Sequence, residues 1–209
     1  MAIFDEEIRK QIKEILKDMN KEVTLILVKK ENPYFNDIKG MLQELSELSD
    51  KIKVEMKELN ETNLEDGPAI IITSEYVKGE VAYFGLPSGY EFGSFLEAIR
   101  IAGTGLKMSN LMKDLIEKLE KNNKELLLEV FVTPSCPHCP TSALVSYRLG
   151  IASKKIKAHV FEAIEFPDLA NKYNVSGVPH TVINKGEGEY IGGYPEPYAI
   201  EKIKEILKL

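Results

Sequence analysis

Cys136 and Cys139 are the only cysteines in a chain of 209 residues, and Pro137 and His138 separate them. A Cys-x-x-Cys pair has two common uses: it opens and closes a disulfide, or it supplies half of a metal site. In the first use the spacing brings both sulfurs within reach across one helical turn. One thiolate can then attack a disulfide in another molecule, and the second thiol can displace the product. In the second use zinc would take Cys136 and Cys139 with His138 and His180 as the remaining soft donors. Without a second Cys pair, zinc is the weaker expectation, and no metal is assigned.

The pair needs a scaffold to hold it. The apolar run Leu126 to Val132 suits a buried strand and Thr141 to Leu149 suits a helix, so the pair should cap a strand-to-helix turn. Cys136 is expected at the helix N-terminus, where free backbone N–H groups and the helix dipole favour a thiolate. Cys139, one turn on, should be the more buried partner, so Cys136 attacks and Cys139 resolves. Pro137, with a preset φ and no N–H to lose, is expected to start the helix. His138, as a cation or a donor, should stabilise the Cys136 thiolate further. A lower thiol pKa makes the disulfide the stronger oxidant.

Composition narrows the partners. Hydrophobic residues make up 44% of the chain, enough for packed cores, and a net charge of -6 leaves no basic footprint for nucleic acid. No apolar stretch approaches a membrane span, and Met1 to Glu7 is acidic without a signal-peptide core, so the expected location is cytoplasmic. In a reducing compartment a lone Cys pair is catalytic or metal-binding rather than a structural staple. Charge rests mainly on Lys and Glu, with Arg at positions 9, 100 and 148 and Gln at 11 and 43. That bias points to a thermophilic source, where intracellular disulfides are common.

The periodicities suggest two similar halves. Glu6 to Met19 reads as a helix, Val23 to Val28 as a strand, Ile38 to Leu48 as a helix and Ile52 to Leu59 as a strand. Ala69 to Thr73 and Val81 to Phe84 read as strands and Phe92 to Ala102 as a helix. Gly103-Thr104-Gly105 is the expected linker. Ser109 then caps a helix, followed by strand 126–132, helix 141–149, strand 157–164, a short helix near 167–173, strands 181–184 and 190–192, and helix 197–207. Laying Leu27-Val28 on Phe131-Val132 sets Asn32-Pro33-Tyr34-Phe35 opposite the Cys turn, with the proline kept and both sulfurs gone. Gly67-Pro68 falls near Val178-Pro179, and Gly85-Leu86-Pro87 near Gly193-Tyr194-Pro195. The chain reads as an internal duplication, with residues 1–105 an inactive copy and 106–209 carrying the redox site.

Across its whole length the chain resembles the glutaredoxin-like protein disulfide oxidoreductases of archaea and thermophilic bacteria. The resemblance rests on Phe131 to Pro140, Glu162 to Pro167, Tyr173 to Pro179 and Leu86 to Phe92. It implies an α/β fold of two tandem thioredoxin-like, glutaredoxin-like domains, each a mixed central sheet flanked by helices. It implies that Cys136 attacks, that Cys139 resolves and that Val178-Pro179 is cis. The backbone of Val178 is then open to an extended substrate segment. Members of this family often carry a second Cys pair where this chain has Asn32 and Phe35, which puts isomerisation or internal relay in question.

The buried acid of thioredoxins corresponds here to Val130. Glu129 should point to the other face of its strand, and Glu162 is the substitute proton acceptor for Cys139, its bland role being a strand-end ion pair. His180 is expected to be a core or edge histidine and His159 part of its strand, with Tyr34, Tyr83 and Tyr90 core or rim aromatics. The implied activity is thiol–disulfide exchange with protein disulfides and dithiols, with no tightly bound cofactor. A flavoprotein of the thioredoxin reductase kind would recharge it. An alternative role is electron donor to a peroxiredoxin, as in the N-terminal region of the alkyl hydroperoxide reductase flavoprotein. A zinc-binding or adaptor protein with a structural Cys pair is the remoter one.

Overall fold

Asp5 and Ser109 mark two helix starts in the sequence, and each side chain accepts a backbone N–H three residues on, from Ile8 at 2.8 Å and from Met112 at 3.1 Å. The computed structural model describes residues 3–209; Met1 and Ala2, the start of the acidic N-terminal run, lie outside them. The first half runs α1 (Glu6–Leu16), β1 (Val23–Lys29), α2 (Phe35–Leu48), β2 (Ile52–Glu58), a 3-10 turn (Leu59–Glu61), β3 (Ala69–Ser74), β4 (Glu80–Phe84) and α3 (Tyr90–Thr104). The second runs α4 (Asn110–Lys121), β5 (Leu126–Val132), α5 (Cys139–Ala152), β6 (Ile156–Glu162), α6 (Pro167–Lys172), β7 (His180–Ile183), β8 (Gly188–Ile191) and α7 (Glu196–Leu207).

The repeat is close in register. Helices α2 and α5 are each 14 residues long and strands β2 and β6 each 7, with starts offset by 104 residues, from 35 to 139 and from 52 to 156. Ser49 and Ser153 follow the two helices, and each hydroxyl accepts a lysine N–H, from Lys51 at 3.3 Å and Lys155 at 3.2 Å. Both halves carry a cis proline, at Gly67-Pro68 and Val178-Pro179. Gly85 N–H donates to Pro68 O at 3.0 Å as Gly192 N–H does to Pro179 O at 2.8 Å. Gly85 therefore matches Gly192, one residue from the expected register, because the loop into α3 is one residue longer than that into α7.

The two halves share a single eight-stranded sheet, ordered β2-β1-β3-β4-β6-β5-β7-β8, in which β4 lies parallel to β6 with Phe84 beside Phe161. Their sequences foretell which strands lie inside. Strand β4 is buried at Val81, Ala82, Tyr83 and Phe84 on both faces, as suits an interior strand, whereas β2 and β8 are largely exposed edges. Helices α1 to α5 and α7 pack their buried side chains into one core with Leu25, Ile70, Tyr83, Leu128 and Val160; the opposite face, with Phe84, Phe131 and Phe161, is met by α6 and loops.

The expected linker is a packing site instead. Gly103 and Thr104 belong to α3, and a Cβ on Gly103 would lie 2.6 Å from Met19 Cε. The Gly103 carbonyl accepts the N–H groups of Asn20 and Lys21, both at 3.0 Å, so the glycine admits the end of α1. The helix stops at Gly105, whose φ of +88° glycine tolerates. Among the described residues, no helix is long and apolar enough to cross a membrane.

Candidate active site

Strand β5 ends at Val132, and the chain turns through Thr133 to His138 before α5 begins. The helix starts at Cys139, with His138 as N-cap. This corrects two expectations: Cys136 lies three residues ahead of the helix, and Pro140, not Pro137, occupies its first turn. The reason is the turn's own hydrogen bonding, with Cys136 N–H donating to Thr133 O at 3.2 Å and Cys139 N–H to Cys136 O at 3.4 Å. Proline is tolerated in the first helical turn because N–H groups there have no carbonyl to reach.

Cys136 and Cys139 are joined as a disulfide with their Cα atoms 5.5 Å apart. Cys139 is fully buried and Cys136 is 9% exposed, so Cys136 is the sulfur an incoming molecule meets first. The carbonyl oxygen of Val178 lies 3.6 Å from Cys136 Sγ. Among the described residues the N–H of Val178 has no backbone partner, which leaves it open to an added strand. Pro137 and His138 are exposed on the turn. Gly193 closes the site from below: a Cβ there would fall 2.6 Å from the His138 carbonyl oxygen.

Pairing registers sort the remaining candidates. Val130 and Glu162 lie on the α5 face of the sheet; Glu129 and His180 lie on the other, with Phe131. Glu129 accepts a 2.9 Å hydrogen bond from Tyr173 Oη, and burial pushes its carboxyl up. His180 meets Glu189 at 3.2 Å and turns away from the disulfide, and His159 meets Glu80 of β4 at 2.7 Å. Tyr83 is buried in the core, whereas Tyr34 and Tyr90 are exposed at the rim.

Glu162 is 3% exposed, and burial raises its carboxyl. Strand β6 stops there, two residues short of its expected end, because the carboxylate accepts the N–H groups of Ile164 at 3.2 Å and Glu165 at 2.8 Å. The anticipated ion pair is replaced by this backbone turn.

A second carboxyl stands at the site, and it comes from the first half. Tyr90 N–H donates to Pro134 O at 3.0 Å, and a Cβ on Gly89, at φ +57°, would fall 2.3 Å from that same oxygen. The first turn of α3 therefore lies against the loop that leads into Cys136. Glu91, in that turn, is fully buried, and burial pushes its carboxyl up to about 8, with the Ser94 hydroxyl opposing weakly. Its Oε1 has no hydrogen-bond partner among the described residues, and the same holds for Tyr83 Oη from β4 and Tyr147 Oη from α5. Glu91 was legible in one respect: with Phe95, Ala98 and Ala102 it occupies the buried face of α3, an acidic residue at an apolar position.

Comparison with known proteins agrees with this geometry. Residues 126–205 match the thioredoxin domain family. The chain belongs to the thioredoxin-like disulfide oxidoreductases. This oxidoreductase is 28% identical over 185 residues to the alkyl hydroperoxide reductase AhpF of Escherichia coli (strain K12), covering 88% of this chain and 34% of that protein. It is 22% identical over 191 residues to a protein named NADH dehydrogenase from Bacillus subtilis (strain 168), covering 91% and 35%. The chain thus spans about a third of the length of these curated relatives. Its fold matches the NTD_N/C domain of alkylhydroperoxide reductase AhpF from Enterococcus faecalis, with a TM-score of 0.83, 23% identity and coverage of 95% and 99%. It also matches a protein disulfide oxidoreductase from Aeropyrum pernix, with a TM-score of 0.80, 23% identity and coverage of 97% and 94%.

Proposed function

We propose that this oxidoreductase is a two-electron dithiol carrier that takes electrons from an NAD(P)H-dependent flavoprotein and delivers them to a protein disulfide, with an oxidised peroxiredoxin as the favoured acceptor. The observation that carries this reading is one closed disulfide, with one sulfur at the surface beside an open backbone and the other sealed in the core. Likeness to the alkyl hydroperoxide reductase AhpF supports the choice of acceptor. A chain with a single Cys pair holds one electron pair, so each delivery must be followed by recharging from outside.

In delivery, the Cys136 thiolate attacks an acceptor sulfur, and the acceptor's S–S bond breaks as a mixed disulfide forms. Cys139 loses its proton and attacks Cys136 Sγ, which releases the acceptor as a dithiol and leaves Cys136–Cys139 oxidised. In recharging, the flavoprotein's dithiol reverses these steps, and Cys139 leaves as a thiolate that needs a proton. Glu91, protonated below about pH 8, is the assigned acid on that step and the base on the other. Glu162 is assigned to holding the turn after β6. Residues 1–105 form an inactive thioredoxin-like domain that supplies Glu91, and residues 106–209 form the domain with the Cys pair.

The test mixes pre-reduced protein with oxidised peroxiredoxin or with a generic protein disulfide and counts alkylated thiols. One acceptor disulfide reduced per chain, faster for the peroxiredoxin, is the expected result. Equal rates would remove the preferred acceptor, and no transfer to either would overturn the carrier reading.

A further inference from the structure

In the first half, Asn32 and Phe35 stand where Cys136 and Cys139 stand in the second, since α2 and α5 start in the same register. The vestigial turn is occupied. The Asn32 side-chain oxygen accepts the Tyr34 N–H at 2.7 Å, which leaves its amide nitrogen as donor, and that nitrogen reaches Glu165 Oε2 at 3.1 Å. Glu165 comes from the other half, from the turn that Glu162 holds. Its second oxygen, Oε1, accepts the Leu86 N–H at 2.8 Å. A Cβ on Gly85, at φ +96°, would fall 2.7 Å from this oxygen, so the carboxylate sits directly on the backbone that leads into α3.

That backbone continues from Leu86 to Gly89 and Tyr90, which rest on Pro134 of the disulfide loop. We propose that Asn32 and Glu165 form a positioning clamp, built from the disused turn, that holds the first turn of α3 and its Glu91 in place against the disulfide loop. Neither residue touches the reacting sulfurs; both act through α3. The clamp rests on the role assigned above to Glu91. The groups facing Glu91 are Tyr83 from β4, Tyr147 from α5 and Ser94 from α3 itself, while Glu162 and Glu165 reach Tyr83 from the turn after β6.

The test uses the full chain and two variants with unchanged net charge: Asn32→Ala, which removes the donor, and the exchange Asn32→Asp with Glu165→Gln, which reverses the hydrogen bond. Two quantities are read, amide hydrogen exchange at Leu86 and Tyr90 and the pH midpoint of thiol–disulfide exchange. Asn32→Ala should lower protection at both amides about tenfold and move the midpoint by roughly one pH unit, and the exchange variant should restore both. Unchanged protection would overturn the clamp. Lost protection with an unmoved midpoint would also overturn it, since the pair would then be merely structural. If the wild-type chain exchanges no disulfides at any pH, the carrier reading fails, and amide protection alone decides whether Asn32 and Glu165 hold α3.

Discussion

The two strand-to-helix turns of this molecule share a register, a proline and a cis proline nearby, yet one holds a disulfide and the other an amide bonded across the seam. Around Cys136 the surroundings leave room: an exposed sulfur face, a free Val178 N–H, and a turn whose carbonyls are approached by glycines. Around Asn32 the equivalent space is taken up by Glu165. The difference teaches that a duplicated site which loses its sulfurs need not become inert surface. Here the first half still acts on the second, through Glu91 and through the strands that make β4 an interior strand.

Removing a sulfur gives the largest break in this comparison. Cys136→Ser should lower exchange at least a thousandfold, whereas Asn32→Ser at the matching position should leave measurable exchange; thiol counting after incubation with an oxidised acceptor checks both. The inverse change sharpens it. Asn32→Cys with Phe35→Cys should create a second closable pair, seen as four alkylatable thiols per chain after reduction. Exchange at the new pair should be about tenfold slower than at Cys136, because Glu165 lies where an acceptor would enter and its charge disfavours a thiolate.

Glu91 gives the next effect. Its carboxyl ionises near 4.5 when unfolded and at about 8 when folded, so the unfolded chain releases this proton first. Stability should therefore fall as pH rises from about 4.5 to 8 and be flat outside that window, by an amount on the order of 5 kcal/mol for this group. Glu129 and Glu162 are also raised and add in the same direction. Urea unfolding of Glu91→Gln across that range should show most of the slope gone, with the variant more stable than the parent at pH 8. Its recharging rate at pH 7 should drop about a hundredfold.

Smaller effects come from backbone and cap. Gly89→Ala forces a side chain into a φ of +57° and onto the Pro134 carbonyl, and should cost about 2 kcal/mol in urea unfolding while also slowing exchange. Ser109→Ala removes the cap of α4, far from the turn, and should cost about 1 kcal/mol with no change in exchange rate.

Much of this was legible in the chain itself. The two cysteines with their spacing, the apolar runs of β1, β3, β4 and β5, the Ser109 cap and the offset between halves all follow from local chemistry and periodicity, which act over a few residues. Glu129 pointing away from the cysteines follows from strand alternation alone. The N-terminus of α5 was less legible, because two prolines flank His138 and either one suits a first turn; the turn hydrogen bonds at Cys136 and Cys139 decide it. Gly103 read as a linker because glycine in isolation signals flexibility, and only the contact with Met19 shows it as a packing residue.

What tertiary structure alone decided is the company each half keeps. That β4 meets β6, that Tyr90 rests on Pro134, that Glu91 joins the Cys pair and that Glu165 fills the vestigial turn all depend on groups separated by tens to more than a hundred residues. No periodicity encodes such encounters, because they arise from how two sheets merge and which backbone groups that merger leaves to be bonded. The sequence alone determined the chemistry available to the protein, two thiols on a turn; the fold determined where their proton can go.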